Sequence, residues 1–267
     1  PTRTTGYPLL QERIDRGGAM YHFFVAPEQI GEKEIWIEGS DVNHIRNVLR
    51  MTPGEKITVS SGADGKEYFC EIRRLQEDQV IAEILEQKEA SSELPSKLAL
   101  FQGLPKSDKM ELIIQKAVEL GAYEVVPMAT HRAVVKLDQK KEESKRKRWN
   151  AIAESAAKQS KRTVIPEVTK VFSFREAVIY AVETYDVCLI PYECAEGMEQ
   201  TRAILAKVQP GTSVAILIGP EGGFEESEIA YAQEKGVHPI TLGHRILRTE
   251  TAGLAVLSAL MLQLDLD

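Results

Sequence analysis

The sequence predicts two domains of different class, a small antiparallel β-barrel followed by an α/β domain with a mostly parallel sheet. Three observations carry this. Short strand-like runs separated by turn residues fill residues 20–89; a small, polar, proline-broken stretch, Ala90-Ser91-Ser92-Glu93-Leu94-Pro95-Ser96, follows; and beyond it apolar strands alternate with helical segments. At 267 residues the chain is long enough for two cores. We set the domains at 20–92 and 97–267 and read residues 1–19, which precede Met20, as a tag or extension.

In the first domain the expected strands are Tyr21–Val25, Glu34–Glu38, Lys56–Ser60, Tyr68–Arg73 and Val80–Leu85. Pro53-Gly54 and Gly62-Ala63-Asp64-Gly65 supply the fixed or positive φ that lets neighbouring runs double back. Between them, Val42, Ile45, Val48 and Leu49 recur at helical spacing, which predicts one short helix over Asp41–Met51.

In the second domain the expected strands are Leu98–Gly103, Val125–Met128, Val187–Pro191, Val214–Ile218 and Pro239–Leu242. The helix after Leu104 has Asp108 as a candidate cap, Glu111 three residues on and Gly121 as its left-handed end. The last helix, about Glu250–Leu264, is apolar on nearly every side and belongs in the core or in a subunit interface. With Thr249 as its cap, Glu250 would sit at the positive end of the helix dipole.

Composition narrows the function. Hydrophobic residues make up 43% and charged residues 27%, as in ordinary globular proteins. The longest apolar run, Leu254–Leu262, is far short of the roughly 20 residues a bilayer requires, so no membrane span is expected. Three cysteines without framework spacing suit a reduced cytoplasmic setting, and five scattered histidines give no metal motif. Net charge is −7, yet eleven basic residues stand against four acidic ones between His131 and Arg162, a local +7 that suits phosphate contact.

Two strings carry the chemistry. ILIGPEGGF, Ile216–Phe224, places a glycine turn after an apolar strand, at the carboxyl edge where open parallel sheets bind ligands. It lacks the GxGxxG fingerprint, and Glu221 in its middle disfavours a pyrophosphate. LGHRILRTETAGLAVLSAL, Leu242–Leu260, runs from a strand end through a polar turn into the last helix, with the permanently charged fork of Arg248 at the pocket mouth. Spacing alone leaves open that Glu250 only caps and that Arg248 only pairs with it.

Together these strings resemble the cofactor signature of the SPOUT methyltransferases, most closely the RsmE family, which methylates N3 of a uridine in 16S ribosomal RNA. QGLPKSDKMELIIQKAVELG (Gln102–Gly121) resembles that family's opening strand and helix, ESAAKQSKRTVIPEV (Glu154–Val168) its central segment, and HIRNVLRM (His44–Met51) fits its PUA-like RNA-binding domain. The resemblance implies a deep trefoil knot in the second domain and a homodimer. Alternation alone would have given an ordinary doubly wound sheet, since true knots are nearly absent from proteins.

The resemblance also implies S-adenosylmethionine as cofactor and 16S rRNA or the small ribosomal subunit as partner. Cofactor contacts are expected from Leu189, Pro191 and Glu193, from Ile218, Gly219, Pro220, Glu221, Gly222 and Gly223, and from Leu242, Gly243, Ile246 and Leu247. RNA contacts are expected from His44, Arg46, Asn47 and Arg50, from Lys106 and Lys109, and from Lys158, Gln159, Ser160 and Arg162. Arg46 and Arg50 are expected on one helix face. Arg248 is expected to stabilise charge on the uracil oxygens and Glu250 to act as base, which would require burial to raise its pKa. Another base, the ribose, or a silent assembly role remain open, because cofactor motifs do not set the target.

Overall fold

The computed structural model describes residues 20–89, 92–192 and 197–265, and the chain divides into two compact units between residues 90 and 91. In the first unit β1 (His22–Phe24), β2 (Glu34–Glu38), β3 (Lys56–Ser60), β4 (Lys66–Leu75) and β5 (Gln79–Glu89) form one sheet in the order β1-β3-β4-β5-β2. Period-two alternation turns Ile35 and Ile37, Ile57 and Val59, and Cys70 and Ile72 inward, all at most 1% exposed. The β3–β4 hairpin closes through Gly62 and Gly65, at φ +75° and +68°.

Three expectations need correction here. The β1–β3 pair is parallel, so the sheet is not antiparallel throughout. Gly54, at φ +92°, donates to Ile72 O and leads the chain into β3 without making a hairpin. The helix is also not uniform: α1 (Ser40–Asn43) passes into a π turn over His44–Val48, closed by Leu49 N–H to His44 O at 2.8 Å. The wider turn keeps Val42 and Ile45 buried but carries Val48 out to 61% exposure.

The second unit is a seven-stranded sheet of β6 (Leu98–Gly103), β7 (Ala122–Ala129), β8 (Glu167–Val168), β9 (Phe172–Ser173), β10 (Val187–Pro191), β11 (Val214–Ile218) and β12 (His238–Ile240). Every recorded pairing is parallel, and the order is β12-β10-β11-β6-β7-β8 with β9 also on β7. Such a sheet must be covered on both faces. On one face α2 (Lys109–Glu119) packs against α3 (Gln139–Gln159) and α7 (Thr249–Leu264). On the other, Ala99, Phe101, Val126 and Leu217 pack in one core with Phe174, Ala177 and Ala181 of α4 (Phe174–Thr184) and Ile229 and Ala232 of α6 (Glu226–Glu234). α5 (Met198–Leu205) joins β10 to β11.

Gly121 ends α2 at φ +87°, as its sequence position requires. Asp108 does occupy the N-cap position but makes no side-chain cap bond. With Ser107 at φ +57° and Asp108 at φ −91°, ψ 14°, the chain enters α2 through a turn and lacks the extended backbone a capping aspartate needs. Along α7 the core takes Gly253, Val256, Leu257, Leu260 and Leu264, while Thr251, Ala255 and Leu262 are exposed. No helix among the described residues is long and apolar enough to cross a membrane.

Candidate functional site

The strand order brings the carboxyl ends of β10, β11 and β12 side by side with β6. The chain leaves these ends through Pro191-Tyr192, the turn Gly219–Phe224 and the segment Thr241–Arg248, and these border a cavity of about 910 Å³. That volume lies within the range of small-molecule sites.

The glycine turn is held from four sides. Gly103 lies so close beneath it that a Cβ there would stand 2.7 Å from both N and Cδ of Pro220. Arg132 packs its Cβ 3.1 Å from where a Gly222 Cβ would be, and donates from its guanidinium to Gly222 O at 3.1 Å. Glu221 accepts the Lys106 N–H at 3.1 and 3.2 Å and pairs with Lys109 at 3.2 Å. The Thr249 hydroxyl donates to Gly219 O at 2.6 Å and accepts from the buried Gln102 amide at 2.8 Å.

That last bond corrects the cap assignment. Arg248, extended at φ −65°, ψ 155°, is the N-cap of α7, and Thr249 is its first helical residue. Its hydroxyl ties the ends of β6 and β11 to the start of α7 instead of closing the helix. Gln102 and Thr249 were both missed as site residues; the sequence signal for Gln102 is a polar side chain in the otherwise apolar strand LALFQG, since a buried amide must find partners.

Opposite the turn, Leu242–Leu247 lines the cavity with little bracing. His244, Arg245 and Arg248 are exposed, and Ile246 is 88% exposed. The backbone N–H groups of Leu242, Ile246 and Leu247 are taken by no other described residue, which leaves donors suited to an adenine edge or a carboxylate. The Arg248 guanidinium makes no hydrogen bond or ion pair with any described residue; only its carbonyl is engaged, by the N–H groups of Thr251 and Ala252. It also sits at the positive end of the α7 dipole, so the corner carries positive potential for an anionic group.

Of the expected cofactor contacts, Pro191, Ile218, Gly219, Pro220, Glu221, Gly222, Gly223, Leu242, Gly243, Ile246 and Leu247 line this cavity. Leu189 does not: it is fully buried in the sheet, two strand positions before Pro191 at the rim. Glu193 lies outside the described residues. Tyr192, His244 and Arg245, which fall within the loops expected to hold the cofactor, also line the cavity; Arg132, Gly197 and Met198 line it too and were not anticipated, because they reach it from a loop and a helix start whose positions the sequence does not reveal.

The proposed base is corrected by its surroundings. Its own backbone N–H and the Lys109 ammonium 3.1 Å away hold the Glu250 carboxyl below the usual glutamate range, against the upward push of burial. A carboxylate so held is a weak proton acceptor. Glu221 is likewise held low: burial pushes it up, but its own N–H, that of Lys106 and Lys109 outweigh this.

The expected RNA contacts separate into two groups. Lys106, Gln159, His44, Asn47 and Arg50 are exposed. Asn47 bonds Asn43 at 2.6 Å, Lys158 pairs with Glu154 at 3.0 Å and Arg46 donates to Glu77 O at 2.8 Å. Arg46 and Arg50 share no helix face, because the helix ends before Arg50, which sits at φ +52°. Ser160 back-bonds to Ala156 O at 2.8 Å, and Lys109 belongs to the cavity. Arg162 is 4% exposed, with Glu93 at 2.6 Å and the carbonyls of Val118 and Ala122 at 3.1 and 2.5 Å; it braces the fold and is withdrawn as an RNA contact.

Residues 92–261 match the RNA methyltransferase domain family and residues 37–85 the RNA methyltransferase PUA domain family. The chain is 40% identical over 250 residues to the ribosomal RNA small subunit methyltransferase E of Bacillus subtilis (strain 168), covering 92% of this chain and 97% of that one. It is 32% identical to the protein of the same name from Synechocystis sp. over 94% of this chain and 82% of the relative. Among solved structures, a ribosomal RNA small subunit methyltransferase E from Neisseria gonorrhoeae bound to S-adenosyl methionine superposes with a TM-score of 0.78 at 32% identity, covering 92% and 98% of the two chains.

Proposed function

The chain belongs to the ribosomal RNA small subunit methyltransferase E family of SPOUT RNA methyltransferases, and we propose that it transfers a methyl group to N3 of a specific uridine in 16S ribosomal RNA. It is an S-adenosylmethionine-dependent rRNA methyltransferase, and the cavity suits that cofactor in volume, in its glycine wall and in its untaken backbone donors. The observation that carries the reaction is Arg248, unpaired at a cavity corner and at the amino end of α7.

Bound cofactor supplies an electrophilic methyl group on a sulfonium, giving it up to N3 and departing as the neutral thioether. Uridine N3 becomes a good nucleophile as its imide proton leaves to solvent. Arg248 stabilises the negative charge that develops on the flanking uracil oxygens. The glycine turn fixes the distance and line of approach. Lys106, Lys158, Gln159, His44, Asn47 and Arg50 remain the proposed RNA contacts. The same reading carries a trefoil-knotted sheet and a homodimer; the exposed Thr251, Ala255 and Leu262 of α7 support an interface there.

Removing one such charge-stabilising donor costs about 100-fold in kcat. We therefore expect Arg248→Ala to lose about that much at saturating cofactor, with cofactor affinity by calorimetry changed less than about threefold; full retained methylation would remove Arg248 from the mechanism. The target is tested by mass spectrometry of 16S rRNA from a deletion strain. Persisting N3-methyluridine there would rule out this chain as its source.

A further inference from the structure

Glu250 stands two residues from Arg248 and, on sequence distance alone, is the natural partner for its guanidinium. The carboxylate makes its ion pair with a different cation, and Arg248 acts on it only by through-space attraction. Lys109 Nζ lies 3.1 Å from Glu250 Oε2 and 3.2 Å from Glu221 Oε1, bridging residues 141 and 112 positions away along the chain. Glu221 is in turn fixed by the Lys106 N–H, which anchors the bridge to the loop entering α2. Lys109 is the first residue of α2, where the helix dipole opposes a positive side chain, so the stability of α2 does not account for a lysine there.

We propose that Lys109 is a positioning residue for Arg248: by engaging Glu250 together with Glu221, it keeps the guanidinium unpaired and available to the substrate. The proposal rests on the role given to Arg248 above. Its logic is competition between two cations for one carboxylate. Without the lysine, Glu250 is left with Arg248 as its nearest cation, and a guanidinium committed to a carboxylate fork has little charge left for a uracil oxygen. A lysine acting only on an RNA phosphate predicts something different, because removing Glu250 would then bring no benefit.

The test uses the full-length protein, tritium-labelled S-adenosylmethionine and small ribosomal subunits from a deletion strain. Lys109→Met is expected to lower kcat about tenfold, equivalent to about 1.4 kcal/mol, with cofactor affinity changed less than about threefold. Adding Glu250→Gln to Lys109→Met should recover most of that loss, and Lys109→Arg should retain most activity. A double variant no more active than Lys109→Met overturns the proposal, as does a Glu250→Gln single variant as impaired as Lys109→Met, since Glu250 would then act on the substrate itself. Full activity in Arg248→Ala would overturn the Arg248 role and this proposal together; loss in Arg248→Ala without recovery in the double variant overturns this proposal alone.

Discussion

The two walls of the cavity are built by opposite means. The glycine turn is fixed before any ligand arrives, by Gly103 beneath it, Arg132 beside it, the Thr249 hydroxyl on Gly219 O and the Lys106 N–H on Glu221. The facing segment Gly243–Arg248 has a glycine at φ +94° at its start, an isoleucine 88% exposed and an arginine whose guanidinium makes no hydrogen bond or ion pair with a described residue. One wall spends its hydrogen bonds on the fold; the other keeps them for the ligand. A site that must grip a cofactor and also admit a nucleotide gains from this division, because the fixed wall sets geometry and the open wall supplies affinity on closing.

The most damaging change should be Gly103→Ala. Its Cβ would meet the backbone nitrogen of Pro220 at 2.7 Å, where no side-chain rotation gives relief. Overpacking of this kind costs about 1–3 kcal/mol, so cofactor affinity by calorimetry should fall by about tenfold to 100-fold. Unchanged affinity would show that the turn is not rigid. Thr249→Val comes next, because it removes the hydroxyl but keeps the shape. It leaves Gly219 O and the Gln102 amide short of a partner, a loss of about 1–3 kcal/mol, and chemical denaturation should read the lower end of that range with a weaker cofactor site.

A smaller effect is expected at Glu221. Its folded pKa is held below the ordinary value of 4.5, so its contribution to stability is present above that value and is lost as pH falls through the depressed folded one. Glu221→Gln should therefore lower the melting temperature at pH 7 and converge on the parent as pH falls below 4; a constant gap at all pH values would mean that the carboxylate charge is irrelevant to the turn. The smallest change in stability belongs to Ile246→Ala on the open wall, within about 0.5 kcal/mol of the parent as for an ordinary surface substitution. The comparison sharpens if that variant nevertheless binds cofactor several-fold more weakly, and breaks if affinity is untouched.

The site was legible in the sequence where local pattern and ligand geometry coincide. The apolar strand Val214–Ile218 followed at once by Gly219-Pro220 marks a strand end and a close backbone approach, and both strings fall on the cavity. Illegible were the residues whose role depends on a distant neighbour. Arg162 reads as a free cation beside Lys161 and proves to be a buried partner of Glu93, 69 residues away. Val48 reads as core and is turned outward by a π turn that no spacing rule foresees.

By itself, then, the sequence determined the two classes of domain, ten of the twelve strands among the described residues, the helix that ends at Gly121 and the last helix, and the two segments that form the cavity, because each of these follows from periodicity, turn chemistry and apolar runs within a short stretch of chain. Only the tertiary structure decided how charges and hydroxyls are shared. Thr249 was free to cap its own helix and Glu250 to pair with Arg248; the packing of α7 beside β6, β11 and α2 instead placed Gly219 O against the one and Lys109 against the other. Such choices turn on distances of about 3 Å between residues 30 to 141 positions apart, and the fold sets those distances.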